Sequence, residues 1–229
     1  MSLQTTLNEI TSLETLYKSS RDNFSEDFRL RIHRSLSWIK KARLFAQETP
    51  ADLDMTFINL WIGFNAAYAK NLNTNISADK ISFQEFLQLI CSLDNEQKIY
   101  RLVWSSFSKS IRLLLDNRFV FQPFWDYHNG LITEEEWTSS FAKAKQKAHQ
   151  ALAAQDTGAL LMVLFDRLYT LRNQIMHGGA TYASSANRDQ LNDACYFLAS
   201  CTTIILEIMM RNPSEQHWGK PFYPYLKEN

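Results

Sequence analysis

Apolar side chains recur every three or four residues along nearly the whole chain, the spacing that gathers them on one face of a helix. Leu3, Leu7, Ile10, Leu13 and Leu16 predict a first helix over residues 2–20. A second starts at a Ser25 cap, turns Phe28, Ile32, Leu36, Ile39 and Leu44 inward, and ends near Glu48, ahead of Pro50. A third, from Asp52 to about Lys70, contains FINLWIGFNAAY; it is apolar almost all round and predicts deep burial. The polar stretch NLNTNISADK, residues 71–80, reads as a loop.

Three further helices are expected over roughly 82–93, 95–116 and 133–155. Between the last two lies an aromatic linker, FVFQPFWDYHNG, Phe119–Gly130. Thr133 followed by Glu136 has the spacing of a capping box. A long helix from Thr157 to His177 is stopped by Gly178 and Gly179, because glycine accepts the left-handed conformation that ends helices. Asn187 with Gln190 resembles a cap for a last helix over Arg188–Arg211, and the tail after Pro213 reads as irregular, held on the surface by its aromatics.

Composition sharpens this picture. Only 6 Gly and 5 Pro occur in 229 residues, too few for the many tight turns of a strand-rich fold, so the chain reads as all-α. With 45% hydrophobic and 21% charged residues it has the make-up of an ordered globular protein. Formal net charge is zero, so any phosphate contact must come from a local patch. Cys91, Cys195 and Cys201 are odd in number and form no CxxC pair, which reads as buried thiols in a reducing cytosol. The N-terminus lacks a basic start followed by an apolar run, and the apolar stretch Leu198–Met210 is short for a bilayer and contains Glu207. The expectation is a cytoplasmic protein with no membrane partner.

Most chemical motifs are missing. His33, His128, His149, His177 and His217 are far apart and form no ligand-spaced pair, and no glycine-rich phosphate loop occurs. No metal and no cofactor are expected. The carboxylates of Glu134–Glu136 suit a helix's first turn, where they complement its positive end. The helix bearing Arg29, Arg31, Arg34, Lys40, Lys41 and Arg43 is basic; Arg29, Arg34 and Lys41 are candidate phosphate contacts, although such a face is more often simply solvated.

The sharper signal is LRNQIMHGG, Leu171–Gly179. Asn173 and His177 lie one helical turn apart, and Arg172 has a side chain long enough to swing toward them. Imidazole is a usable general acid or base near neutral pH, and a guanidinium can clamp a phosphate through paired hydrogen bonds. The trio suits phosphodiester recognition, and metal-free transesterification is chemically open to it. Capping and salt bridging account for the same residues without any chemistry.

YTLRNQIMHGGATYASSANRDQ, Tyr169–Gln190, resembles the signature of a bacterial family within the HEPN superfamily, in which an Arg is followed by a polar residue and then a His. NLWIGFNAAY, Asn59–Tyr68, and the aromatic linker are similar to other parts of that family, so the likeness runs from about residue 25 to 211. It implies a HEPN-type helical bundle that dimerises with the Arg–His motifs facing across a shared cleft. It also implies metal-independent endoribonuclease chemistry, often in toxins or defence effectors restrained by an antitoxin or partner protein. His177 then activates the ribose 2′-hydroxyl or protonates the leaving oxygen, Arg172 stabilises the phosphorane, and Asn173 orients phosphate or imidazole. Other members are non-catalytic modules that bind nucleotide or RNA, or serve as dimerisation scaffolds.

The chain is thus expected to be one helical domain, with its core in about 22–70 and 157–211 and a helical insertion over about 71–155. Asn65, set in an apolar run, is a candidate second-rank support for the motif helix or a satisfied core amide. Thr181 and Asn187 are supporting candidates that also suit the loop and the next cap.

Overall fold

Helices form along most of the chain, and no strand occurs among the described residues. The structure, a computed structural model, describes residues 3, 9–69, 76–106, 108–185, 188–213, 218–221 and 223, with 76–80 and 108–110 as backbone. The helices are α1 (Ile10–Ser20), α2 (Glu26–Ala46), α3 (Leu53–Tyr68), α4 (Ile76–Leu93), α5 (Ser108–Asp116), α6 (Gln122–His128), α7 (Glu134–Ala154), α8 (Thr157–Met176) and α9 (Arg188–Arg211). Polar caps set several starts. Ser25 Oγ accepts from the Phe28 N–H at 3.3 Å, Asp52 from Met55 at 2.9 Å and Asp156 from Ala159 at 2.9 Å; Thr133 and Glu136 close a reciprocal capping box.

Three expected helix boundaries change. The stretch 71–80 is not loop throughout, since α4 begins at Ile76; the stretch holds neither Gly nor Pro, and polarity alone does not stop a helix. Residues 95–116 are not one helix but a short turn (Lys98–Arg101), a π-helical stretch (Leu102–Ser106) and α5. The aromatic linker is itself helical, a 3-10 turn at Arg118–Val120 followed by α6, whose first turn contains Pro123 with its fixed backbone angle. Asn187 and its cap lie outside the described residues.

The chain divides into two compact units. The first comprises residues 1–98 and 182–229. Its centre is the pairing of α2 with α3, where Gly63 allows a close approach: an added Cβ would lie 2.9 Å from Ile39 Cγ1 and 3.3 Å from the Ser35 carbonyl. α9 packs on α3 and α1. An 18-residue window of α9 is apolar enough to cross a membrane by length and composition, with mean hydropathy 1.4, but 78% of it is buried in the protein, as suits a core helix. Burial pushes the Cys195 and Cys201 thiols well up; Cys91 is half-buried.

Two polar clusters organise this unit. Arg31, expected on a basic surface, is fully buried instead. Its Nη atoms donate to four carbonyls, those of Ala67 and Ala69 at the end of α3 and those of Gly219 and Lys220 in the tail. The guanidinium thereby satisfies the orphan carbonyls of a helix terminus. In the tail Trp218 is buried, its indole N–H donating to the Asn212 carbonyl at 2.9 Å. At the other end of α3, buried Asp54 takes a two-pronged ion pair from Arg188, at 2.6 and 3.0 Å, and Tyr182 donates to Asp52 at 2.6 Å.

The second unit comprises residues 99–181. Here α8 packs against α7, α5 and the 3-10 turn at Arg118–Val120, and α6 packs on α7. Residues 157–181 therefore group with 99–156, whereas the expected core joined 157–211 to 22–70. Periodicity tells that a helix has a buried face, and it is silent about which helix covers that face.

Candidate functional site

α8 carries the motif and is built to present it at its end. Its buried side is Leu160, Leu161, Leu164, Phe165, Leu168 and Leu171, so the residues that follow emerge at the helix terminus half-buried or exposed. His177 is the C-cap, with its N–H bonded to the Asn173 carbonyl at 2.9 Å. Gly178 takes φ +71°, its N–H reaching the Ile175 carbonyl at 3.3 Å, and the Gly179 N–H reaches the Gln174 carbonyl at 2.7 Å. These two bonds make a Schellman motif, so the double glycine explains why the helix stops and why His177 ends on an exposed edge.

Arg172 and Asn173 are both half-buried, and Arg172 Nη1 donates to Asn173 Oδ1 at 2.9 Å. Asn173 therefore holds the guanidinium, which leaves the remaining N–H groups of Arg172 for a further acceptor. An anchored guanidinium, an amide and an exposed imidazole thus stand within one and a half helical turns, groups able to donate hydrogen bonds and to exchange a proton. No group of three or more His, Cys, Asp or Glu side chains suited to a metal occurs among the described residues.

The other candidates are dispersed. Arg29, Arg34 and Lys41 belong to the first unit, the motif to the second. Arg29 and Arg34 are half-buried, Arg34 donates to the Tyr223 carbonyl, and Lys41 is exposed with Nζ 4.6 Å from the Phe45 ring centroid. With Arg31 buried and Lys40 paired to Glu14 at 3.3 Å, much of the expected basic face is engaged within the protein. Asn65 is half-buried in the first unit; the buried amide of α3 is Asn59, bonded to the Met55 carbonyl at 2.7 Å. Thr181 is exposed.

Three groups beside the motif escaped the sequence reading. Gln174 Nε2 donates to the Phe119 carbonyl at 2.5 Å, and Trp125 Nε1 donates to the same oxygen at 2.8 Å. Arg167 is 1% exposed, its guanidinium 4.4 Å from the Phe121 ring centroid and 5.8 Å from that of Phe141. Its Nε and Nη1 have no hydrogen-bond partner among the described residues, and Asp166 approaches only to 3.8 Å. Burial lowers its pKa, partly offset by Asp166. The signal was present: Arg167, Thr170, Leu171 and Gln174 stand at i, i+3, i+4 and i+7, two of them able to answer a polar or aromatic neighbour.

A separate cleft of about 430 Å³ lies between α5 and α7, rimmed by Arg112, Asp116, Lys145 and His149 over Leu115 and Leu152; no motif residue lines it. Compared with protein-family models, curated proteins and solved structures, the chain matches none.

Proposed function

We propose that this chain is a HEPN-type, metal-independent endoribonuclease or RNA-directed effector, working as a homodimer in a bacterial stress or defence setting. The observation that supports this most is the Arg172–Asn173 bond of 2.9 Å at a helix end whose cap is the exposed His177. In this reading Arg172 meets the phosphate that becomes the phosphorane, and its charge offsets the charge gained in the transition state. His177 moves the proton between the 2′-hydroxyl and the leaving 5′-oxygen. The nucleophile belongs to the RNA, so DNA resists. Asn173 is a positioning residue that keeps the guanidinium turned to the site. A second copy supplies the facing motif, and an antitoxin or partner protein restrains the pair.

The test is cleavage of a mixed tRNA and mRNA pool, in chelator, by wild type and His177→Ala. Cleavage by wild type alone, leaving cyclic phosphate ends and sparing DNA, supports the reading. Equal cleavage by both proteins, or none by well-folded dimers, removes it and leaves a non-catalytic binding module.

A further inference from the structure

We infer that Phe119 and Arg118 form a stacking subsite for one unpaired nucleobase of a single-stranded RNA, beside the His177 end of α8. This rests on the ribonuclease reading and specifies the form of RNA that it takes.

The placement follows from two contacts. Phe121 sits against Arg167, at 4.4 Å, and the Phe119 carbonyl sits against Gln174, at 2.5 Å. Moving back along the segment from 121 to 119 therefore means moving forward along α8 from 167 to 174. The segment runs antiparallel to the helix, and its first residues, Arg118 and Phe119, come level with the terminal turn. Gln174 and His177 are i and i+3, neighbours on the helix surface. Phe119 is thus anchored on the side of α8 that leads to His177.

Phe119 is also presented as a platform. The carbonyl is fixed by two donors, Gln174 and Trp125, and the Phe119 N–H is held by Asn117 Oδ1 at 2.9 Å. Its ring stands edge-on to Phe124 at 5.4 Å, yet 39% of the residue stays exposed. A phenyl ring spared from a core rich in aromatics, on a backbone this firmly held, has the form of a base-stacking surface. The exposed Arg118 guanidinium lies 5.1 Å from the Phe119 ring centroid and 5.4 Å from that of Phe124. It can cover a stacked base or meet the adjoining phosphate. A base inside an A-form helix has both faces occupied, so the subsite selects single strands, loops and bulges.

The test uses the full chain and a short single-stranded RNA carrying 2-aminopurine, with 2′-O-methylribose at each position so that no 2′-hydroxyl is free to attack, alongside its duplex. Wild type is expected to quench the fluorophore in the single strand and not in the duplex. Phe119→Leu is expected to lose the quench and bind about tenfold more weakly. Phe119→Trp should restore both. If Phe119→Leu binds and quenches normally while Arg172→Ala weakens binding, the subsite is wrong and the ribonuclease reading stands. If wild type binds neither strand form and also fails to cleave natural RNA, both are wrong; cleavage of natural RNA with no quench here sinks the subsite alone.

Discussion

Each unit of this protein buries one arginine almost completely, and the two are treated in opposite ways. Arg31 in the first unit gives its terminal nitrogens four carbonyl acceptors; among the described residues only its Nε is left without a partner. Arg167 in the second unit lies against two neighbouring aromatic rings, with Nε and Nη1 unmatched among the described residues and the Asp166 carboxylate at 3.8 Å. Burial lowers both, Arg31 to about 10. A buried charge with its hydrogen bonds made is a clamp that holds a helix end to a tail. A buried charge without them costs stability at the place where it sits. The first unit thus uses its polar groups to close itself, and the second leaves polar groups unspent close to the motif.

Substitutions can break this contrast. Arg31→Met should have the largest effect, about 3–5 kcal/mol in urea unfolding, because it orphans the buried Ala67 carbonyl and unclamps the tail from the end of α3. Asp54→Asn should follow at about 2–3 kcal/mol, since it removes a two-pronged partner of Arg188 and weakens the bond from the Ala183 N–H. Native-state hydrogen exchange at the start of α3 would locate that loss.

Glu207 sharpens the contrast by pH. Burial pushes its carboxyl up, but hydrogen bonds from Lys98 and Arg211 outweigh this and leave it below the ordinary carboxylate value. Its contribution is therefore complete above the unfolded value of about 4.3 and disappears as pH falls through the lower folded value. Glu207→Gln should cost about 1–2 kcal/mol at pH 7 and flatten the acid limb of the stability profile below about pH 4.3. An unchanged acid limb would mean that the pair carries no net energy. The smallest effect belongs to Arg167→Met, expected within about 1 kcal/mol of wild type, because lost cation–π contact is offset by relief of an unmatched charge. A loss as large as that of Arg31→Met would show that Arg167 is matched after all.

Much of the helical plan was legible in the sequence because periodicity, caps and the double glycine are local signals. Ser25, Thr133, Asp52 and Gly178 act within one turn of where they stand, and the structure places them there. Grouping was not legible. α8 has the same leucine-rich face whichever helices cover it, so its membership of the second unit could not be read from spacing. Arg31 was misread for a related reason: it sits one residue before Ile32 and three after Phe28, an inward position, but arginine is seldom buried and the carbonyls that hold it are distant in sequence. The site divides in the same way. Arg172, Asn173 and His177 were visible as a local motif, whereas Gln174 and Phe119 matter through a contact between positions 55 residues apart.

If Arg172 and His177 serve chemistry, replacing them spares the fold. The most direct measurement sets RNA cleavage in chelator beside urea unfolding for Arg172→Ala and His177→Ala. Cleavage is expected to be lost in both while each unfolding free energy stays within about 0.5 kcal/mol of wild type, as for surface substitutions. Losses of about 2 kcal/mol or more, with cleavage per folded molecule unchanged, would contradict this and return the motif to the role of a helix end.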